Sequence, residues 1–384
     1  QSVIYRKRQN PKEGEKRFDQ TLYEYERPSV AAIRELMPNS RFYAGARKVE
    51  IEQIDLEVSD IETWRFCPNC SYSTSEHQEL KAECPKCNDP GWADSGQLLE
   101  MAKLRQVMAN TDDRKSRIGD DSEERDTAFH VKQMLTDFSR LHVMYAYRIK
   151  SEEIPFGFEF VRKVTFREIN FGEYGGSGQE RSIAGISVVR PGYKICRHCG
   201  MVQNEKKLRS GETQNHSFTC KPGKKNPEEE SNLIDCLYFY REFNSEALRI
   251  LMPLSTIEDG DSSLHSFIAG LQLGLKLKFG GKVDHLRVMN YTEPSQELEA
   301  NKRFLMVYDS VPGGTGYLQQ LMDTPVLLLE IFKLARDHMV NCSCNQDEEK
   351  DGCYSCLYAY RNSYGMETTS RNRAVQLFNR ILDK

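Results

Sequence analysis

Apolar and polar residues alternate through FYAGARKVEIEQIDLEV, residues 42–58, around Gly45. A period of two around a turn residue predicts a strand, a turn and a second strand. Just upstream, PSVAAIRELMP predicts a short helix opened by Pro28 and stopped by Pro38. The spacing of LLEMAKLRQVMA, residues 98–109, predicts a helix, and NTDDRKSRIGDDSEERD after it is too charged and too poor in apolar residues to pack, so it predicts a linker. Strands are predicted over VMYAYRIK and FEFVRKVTFREINF, ending at the glycine-rich turn EYGGSGQ, and again over LIDCLYFYREF after the loop KPGKKNPEEESN. SSLHSFIAGLQLGLKLKFGG has helical spacing with a glycine stop. HLRVMNY and KRFLMVYDS read as strands, and TGYLQQLMDTPVLLLEIFKLARDHMV as helix around Pro325.

This order of elements predicts an α+β chain of several small subdomains. The expected boundaries are a mixed α/β segment over 1–110, a charged linker over 111–126, a β-rich segment over 127–225 and an α/β domain over 226–384. With 384 residues, 39% hydrophobic and 29% charged, the chain suits several modest cores better than one large one. No run approaches the roughly 18 apolar residues of a membrane helix, and no apolar segment near the N-terminus suggests secretion, so a cytoplasmic location without a membrane partner is expected. The chain opens on Gln1 rather than Met, which fits a piece of a longer protein.

Twelve cysteines change the picture. Without a signal peptide, close cysteine pairs indicate metal rather than disulfides. Cys67-Pro-Asn-Cys70 and Cys84-Pro-Lys-Cys87 are two C-P-x-C turns separated by thirteen residues, in a module over 61–95. Each two-residue spacer lets a tight turn aim both thiolates at one ion, and two such turns complete a tetrahedral four-sulfur zinc ribbon. A redox pair or an iron centre is the alternative. His77, between the pairs, reads as a loop residue.

A second module, 194–220, offers Cys196, Cys199, His216 and Cys220 as a Cys₃His set, with Gly200 free to take the left-handed turn after Cys199. His198 is expected to point away, and Cys236, in an apolar strand, to be a packed core residue. The third module is Cys342-Ser-Cys344 followed after eight residues by Cys353-Tyr-Ser-Cys356. A redox-active C-x-x-C is the alternative there. All three sets are filled by protein ligands, whereas a catalytic zinc keeps an open position, so three structural zinc ions per chain are expected.

The net charge of −4 argues against a uniformly basic nucleic-acid binder. Local runs remain: Arg6, Lys7 and Arg8 near the start, and Lys206, Lys207, Arg209, Lys224 and Lys225 in the middle. Either could touch phosphate or be a solvated loop. Gly313, Gly314, Thr315 and Gly316 form a strand-to-helix turn whose amides could meet a phosphate or the DNA backbone, or serve only as a tight turn. No Gly-Lys-Ser/Thr follows, so it is not a nucleotide-triphosphate loop, and neither H-E-x-x-H nor G-x-S-x-G occurs. His265, beside a serine cluster, reads as a partly buried polar residue. No catalytic residue is assigned.

Four segments, LYFYREFNSEALRILMP, SSLHSFIAGLQLGLKLKFGG, VYDSVPGGTGYLQQL and GCYSCLYAYRN, resemble in that order the zinc-binding C-terminal region of DEAD/DEAH superfamily II DNA helicases. That region takes its name from the repair helicase MrfA and recurs in antiphage defence proteins. The segments cover most of 233–362. YERPSVAAIRELMPNSRFYAGARKVEIEQID with its ribbon resembles the segment after the motor core of Druantia-type defence helicases, and more distantly a DISARM protein. The resemblance implies an accessory module of an ATP-driven DNA translocase, with Cys342, Cys344, Cys353 and Cys356 at the family's zinc ligands. DNA and a motor core of the same parent chain are the implied partners, and self-association or partner defence proteins the alternative. Motor motifs are lacking here, so ATP hydrolysis is not expected of this chain alone.

Overall fold

A computed structural model describes residues 2–8, 22–44, 47–75, 81–112, 129–137, 140–148, 156–174, 178–203, 214–217, 219–226, 229–251, 260–280, 283–293, 302–324, 326–347, 350–358 and 368–382. Helices and strands are mixed, as the sequence predicts. The chain divides into two compact units, each drawn from two stretches: Gln1–Met134 with Arg167–Glu242, and Leu135–Phe166 with Phe243–Lys384. The unit boundaries fall within the residue ranges of two long strands, Gly157–Glu173 and Leu233–Leu251.

In the first unit a five-stranded sheet has the order Leu22–Glu26, Ser2–Arg8, Gln106–Asp112, Arg47–Ile54, Arg41–Ala44. The predicted hairpin over 42–58 is its last pair, with Arg41 opposite Glu50. Ala32 and Ile33 of the helix Ser29–Glu35 are fully buried among Val49, Ile51, Ile54, Val107 and Ala109. A second group of strands places Leu98–Lys103 between Ile61–Phe66, antiparallel, and the start of Leu233–Leu251, parallel.

The helix expected over 98–109 is two strands, Leu98–Lys103 and Gln106–Asp112. Leu99 and Met101 enter one core while Ala102, Leu104, Val107 and Ala109 enter another. The helix-forming Leu, Met and Ala of this stretch find strand partners on both sides, and that pairing overrides a weak local propensity. The charged linker over 111–126 lies outside the described residues except for Thr111 and Asp112, which end a strand.

In the second unit, strands Leu286–Glu293 and Lys302–Asp309 form an antiparallel pair, and Lys302–Asp309 continues onto Ala247–Leu251 of the long strand. Three helices, Gly260–Phe279, Val326–Val340 and Arg371–Leu382, pack together over one core. Phe267, Phe332 and Phe378 meet at its centre with ring centroids 5.1–5.6 Å apart. The approach needs small residues: a Cβ on Gly270 would stand 2.8 Å from the Phe378 ring, and one on Gly274 would stand 2.6 Å from the Ile331 carbonyl. The helix Arg371–Leu382 was not anticipated. Its buried Ala374, Leu377, Phe378 and Ile381 do follow the i, i+3, i+4, i+7 pattern of an amphipathic helix.

Among the described residues no helix is long and apolar enough to cross a membrane. Because Phe378 is fully buried against two aromatic partners, Phe378→Ala is expected to destabilise the second unit by about 3–5 kcal/mol. Faster amide exchange across 260–279 and 326–340, with exchange in the first unit unchanged, is the readout.

Candidate metal centres

Three sets of ligand atoms converge among the described residues: Cys67, Cys70, Cys84 and Cys87; Cys196, Cys199, His216 and Cys220; Cys342, Cys344, Cys353 and Cys356. Within each set all ligand atoms lie within 4.8 Å of one another. None of the cysteines is in a disulfide. A tetrahedron with Zn–S bonds of about 2.3 Å has sulfur–sulfur edges of about 3.8 Å. The closest sulfur pairs, at 3.5–3.9 Å, match that edge and are far from a covalent S–S bond. The chain has sites for three zinc ions.

The first set sits on two knuckles. The strand Ile61–Phe66 turns through Cys67 to Cys70 before Ser73–Ser75 pairs back on it. Within the turn the amides of Asn69 and Cys70 both donate to Cys67 Sγ at 3.4 Å, contacts that help a thiolate but are outweighed by the Cys84 contact and burial, which raise that thiol. The Cys84 knuckle closes with the Asn88 amide on the Cys84 carbonyl, and Asn88 takes a positive φ. Trp92 and Tyr72 cover the site with rings 5.3 Å apart. Four thiols this close cannot all ionise unaided. Contacts from Cys67 and Cys70 pull the Cys84 thiol down to about 2, while the sulfur contacts and burial push Cys70 far up. A divalent cation removes that conflict.

In the second set the strand Tyr193–Cys196 delivers Cys196, and Gly200 makes the predicted left-handed turn at φ +69. That turn is pressed against the strand Arg47–Ile54. Ile54 N donates to the Gly200 carbonyl at 2.9 Å, and a Cβ on Gly200 would fall 1.9 Å from the Ile54 carbonyl oxygen. Gln53 Nε2 donates to the Cys199 carbonyl at 2.6 Å. His216 turns Nδ1 toward the sulfurs, 3.8 Å from Cys220 Sγ, while Nε2 meets Gln214 Oε1 at 3.1 Å. A partner on the outer nitrogen fixes the ring for metal binding. Gly223, in the helix Lys221–Lys225, leaves the room: a Cβ there would lie 2.2 Å from His216 Nδ1. The contact with Cys196 lowers Cys199 to about 4 and raises Cys196. His198 is exposed, and Cys236 is half-buried against Tyr238 Oη at 2.8 Å. His77 lies outside the described residues.

The third set follows the helix Val326–Val340. Burial opposes ionisation of Cys353, but the Ser355 amide and the neighbouring thiols outweigh it and bring the group to about 7, while burial raises Cys356. Two residues that the sequence did not single out complete this site. Arg371 Nη1 donates to Cys344 Sγ at 3.2 Å, placing a buried guanidinium against the sulfur cluster. Asp351, inside the zinc loop, accepts the Asn372 amide at 2.9 Å and the Ser370 hydroxyl at 2.5 Å, and its carbonyl accepts the Arg371 amide. The metal loop therefore holds the N-terminus of the helix Arg371–Leu382.

The other candidate residues have different surroundings. Arg6, Lys7 and Arg8 end the strand Ser2–Arg8, in register with Leu22, Thr111 and Asp112. Lys224 and Lys225 lie on the short helix that follows Cys220, and Lys225 is exposed. Lys206, Lys207 and Arg209 lie outside the described residues. In the glycine turn the amides are already used. Buried Asp309 accepts the amides of Val311 and Thr315 at 2.9 and 2.7 Å and the Thr315 hydroxyl, Gly316 N reaches Glu246 Oε1 at 3.2 Å, and Gly313 N donates to the Asn244 carbonyl. Gly314, at φ +80, has no space for a Cβ beside Glu246. The anion seat that the glycines offer is filled by two carboxylates of the protein. His265 is exposed and meets Thr368 Oγ1 at 2.8 Å.

Within this geometry the family match falls on the second unit. Residues 267–357 match the MrfA Zn-binding domain. All four ligands of the third site lie inside the matched span, at its C-terminal end, and the helix Gly260–Phe279 and the glycine turn lie inside or across its start. Among solved structures, "DUF1998 helicase MrfA bound to DNA" is similar to 99% of this chain, with a TM-score of 0.43 and 11% identity. The aligned part is 34% of that chain, so this chain spans about a third of its length. No curated protein matches the sequence.

Cys356→Ser is expected to release the third zinc and to open the helix Arg371–Leu382 to proteolysis, leaving the ribbon intact, because a closed zinc site contributes its binding energy to folding. Retained metal and protease resistance would contradict this. Arg371→Met keeps the bulk and removes the charge, and zinc loss from the third site to a chelator is expected to become about 10- to 100-fold easier, as for other outer partners of metal ligands.

Proposed function

We propose that this chain is the zinc-stabilised accessory module of an ATP-dependent DNA helicase that serves cytoplasmic antiphage defence or DNA repair and helps engage DNA or separate its strands. The observation that carries the reading is the MrfA Zn-binding domain match over 267–357, with the complete third cysteine set inside it. ATP hydrolysis would belong to a motor core in the same parent chain. The three zinc sites act as scaffold, since each is filled by four protein ligands and leaves no open position for a substrate.

DNA contact in this reading is made through the charge of Arg6, Lys7, Arg8, Lys206, Lys207, Arg209, Lys224 and Lys225. The turn at Gly313, Gly314, Thr315 and Gly316 would take part through the exposed Thr315 side chain rather than through its amides. Such contacts tolerate any sequence and weaken with salt. A Druantia-type parent is the finer form of the proposal, resting on the resemblance of the upstream segment.

A second reading, a protein-interaction or oligomerisation module of a defence complex without direct DNA contact, is favoured by the net charge of −4 and by the carboxylates that fill the glycine turn. Titrating the purified chain with single-stranded and duplex DNA at low salt separates the two. The helicase-module reading expects binding whose log K falls with log salt, with the slope reduced by about 0.7–0.9 for each cation removed, as in Lys225→Gln. Absence of binding to either form, with a tight dimer by light scattering, selects the interaction module.

A further inference from the structure

The second unit carries an aromatic surface that neither the metal sites nor the basic loops account for. The strand Val143–Arg148 stands at the edge of its sheet, paired antiparallel only with the start of Gly157–Glu173 among the described residues. Its registers set Tyr145 opposite Phe160 and Tyr147 opposite Phe158. Phe158 and Phe160 are buried in the helical core, whereas Tyr145 is 50% and Tyr147 38% exposed. The Tyr147 ring lies 5.3 Å from Phe158, so the buried aromatic face continues outward into two rings that reach solvent. Separated by one residue, they stand about 6.7 Å apart along the strand, far enough for each to take a flat partner of its own.

Among the described residues of this strand and of its neighbour in this unit, the exposed charge is cationic. Arg148 on the same strand and Arg162 and Lys163 on its neighbour are exposed. The acid of the neighbouring strand in this unit, Glu159, is neutralised by Arg249, whose Nε donates to it at 2.9 Å. A chain with net charge −4 thus presents here a strip of exposed aromatics flanked by cations. The core of a protein–protein interface is depleted in charge, whereas single-stranded nucleic acid needs both π-faces for its bases and cations for its phosphates. A duplex keeps its base faces stacked and out of reach.

We propose that this edge strand is a stacking platform for single-stranded DNA, with Tyr145 and Tyr147 each receiving a base and Arg148, Arg162 and Lys163 supplying the charge that holds the backbone. The inference rests on the DNA-module reading above and gives it a surface and a strand preference. It places single-strand capture in the second unit, on residues outside the matched zinc-binding domain.

The test is fluorescence anisotropy of the full zinc-loaded chain with a labelled oligothymidylate and with a duplex of equal length. Tyr145→Ala with Tyr147→Ala is expected to weaken single-strand binding about 5- to 150-fold for each base stack lost, leave duplex binding unchanged and leave the salt slope unchanged. Tyr145→Phe with Tyr147→Phe should bind as the parent does, because a ring is what the base needs. Arg148→Gln should instead make the salt slope shallower. Both tyrosines are exposed at an edge, so zinc content and circular dichroism are expected to stay at parent values in every variant. If the parent binds DNA and the double alanine variant binds single strands equally well, the platform is overturned while the DNA-module reading stands. If the parent binds no DNA, both fall. If the double alanine variant loses self-association while its DNA affinity is kept, a second copy of the chain occupies the surface and the platform is overturned.

Discussion

Sulfurs gathered three or four to a site at the edge length of a zinc tetrahedron are the constraint on which the rest of this structure depends. Thiolates 3.5–3.9 Å apart repel one another, and burial penalises each further, so the thiols of a set cannot ionise together without a cation. With a divalent ion present the same geometry becomes a cross-link. Apparent binding energies of structural zinc, about 10–16 kcal/mol in small zinc peptides, are comparable to the whole stability of an ordinary domain at about 5–15 kcal/mol. Three such links outweigh any single aromatic cluster in deciding which segments are folded.

Each link joins strands and helices that would otherwise end freely. The first closes a hairpin and a loop under Trp92. The second presses its Gly200 turn onto the strand Arg47–Ile54. The third is coupled furthest: through Arg371 and Asp351 it holds the last helix, whose Phe378 completes the core with Phe267 and Phe332. Metal occupancy at the third site and the packing of three helices are in this way one equilibrium. That coupling gives a physical reason for this domain to carry a structural zinc at its end.

The cysteine spacing made all three ligand sets readable, because a C-x-x-C turn leaves its thiolates few directions in which to point. His216 was readable as a ligand type, but Gln214 and Gly223, which aim it and make room for it, are ordinary residues until the fold brings them together. Arg371 is further still from the motif it serves, twenty-seven residues from Cys344, and Asp351, inside the motif, has its partners Ser370 and Asn372 nineteen and twenty-one residues away. The stretch 98–109 reads as helix because Leu, Met and Ala favour helices in isolation, and its two strands show only in distant pairings, such as Glu100 with Thr63 and with Leu237. The glycine turn was found by its glycines, but its inward amides depend on Asp309 and on Glu246, seventy residues from Gly316. Short-range chemistry was legible and long-range pairing was not, which also explains why the segment Leu135–Phe166 joins a unit formed otherwise by the C-terminal third of the chain.

The metal itself is the decisive quantity. Native mass spectrometry of the purified chain, before and after chelation, measures its content directly. The expected spectrum shows the mass of three zinc ions above the metal-free chain, lost together with the compact charge-state distribution on chelation. Fewer than two ions, or a mass matching disulfide-bonded chain without metal, would contradict it.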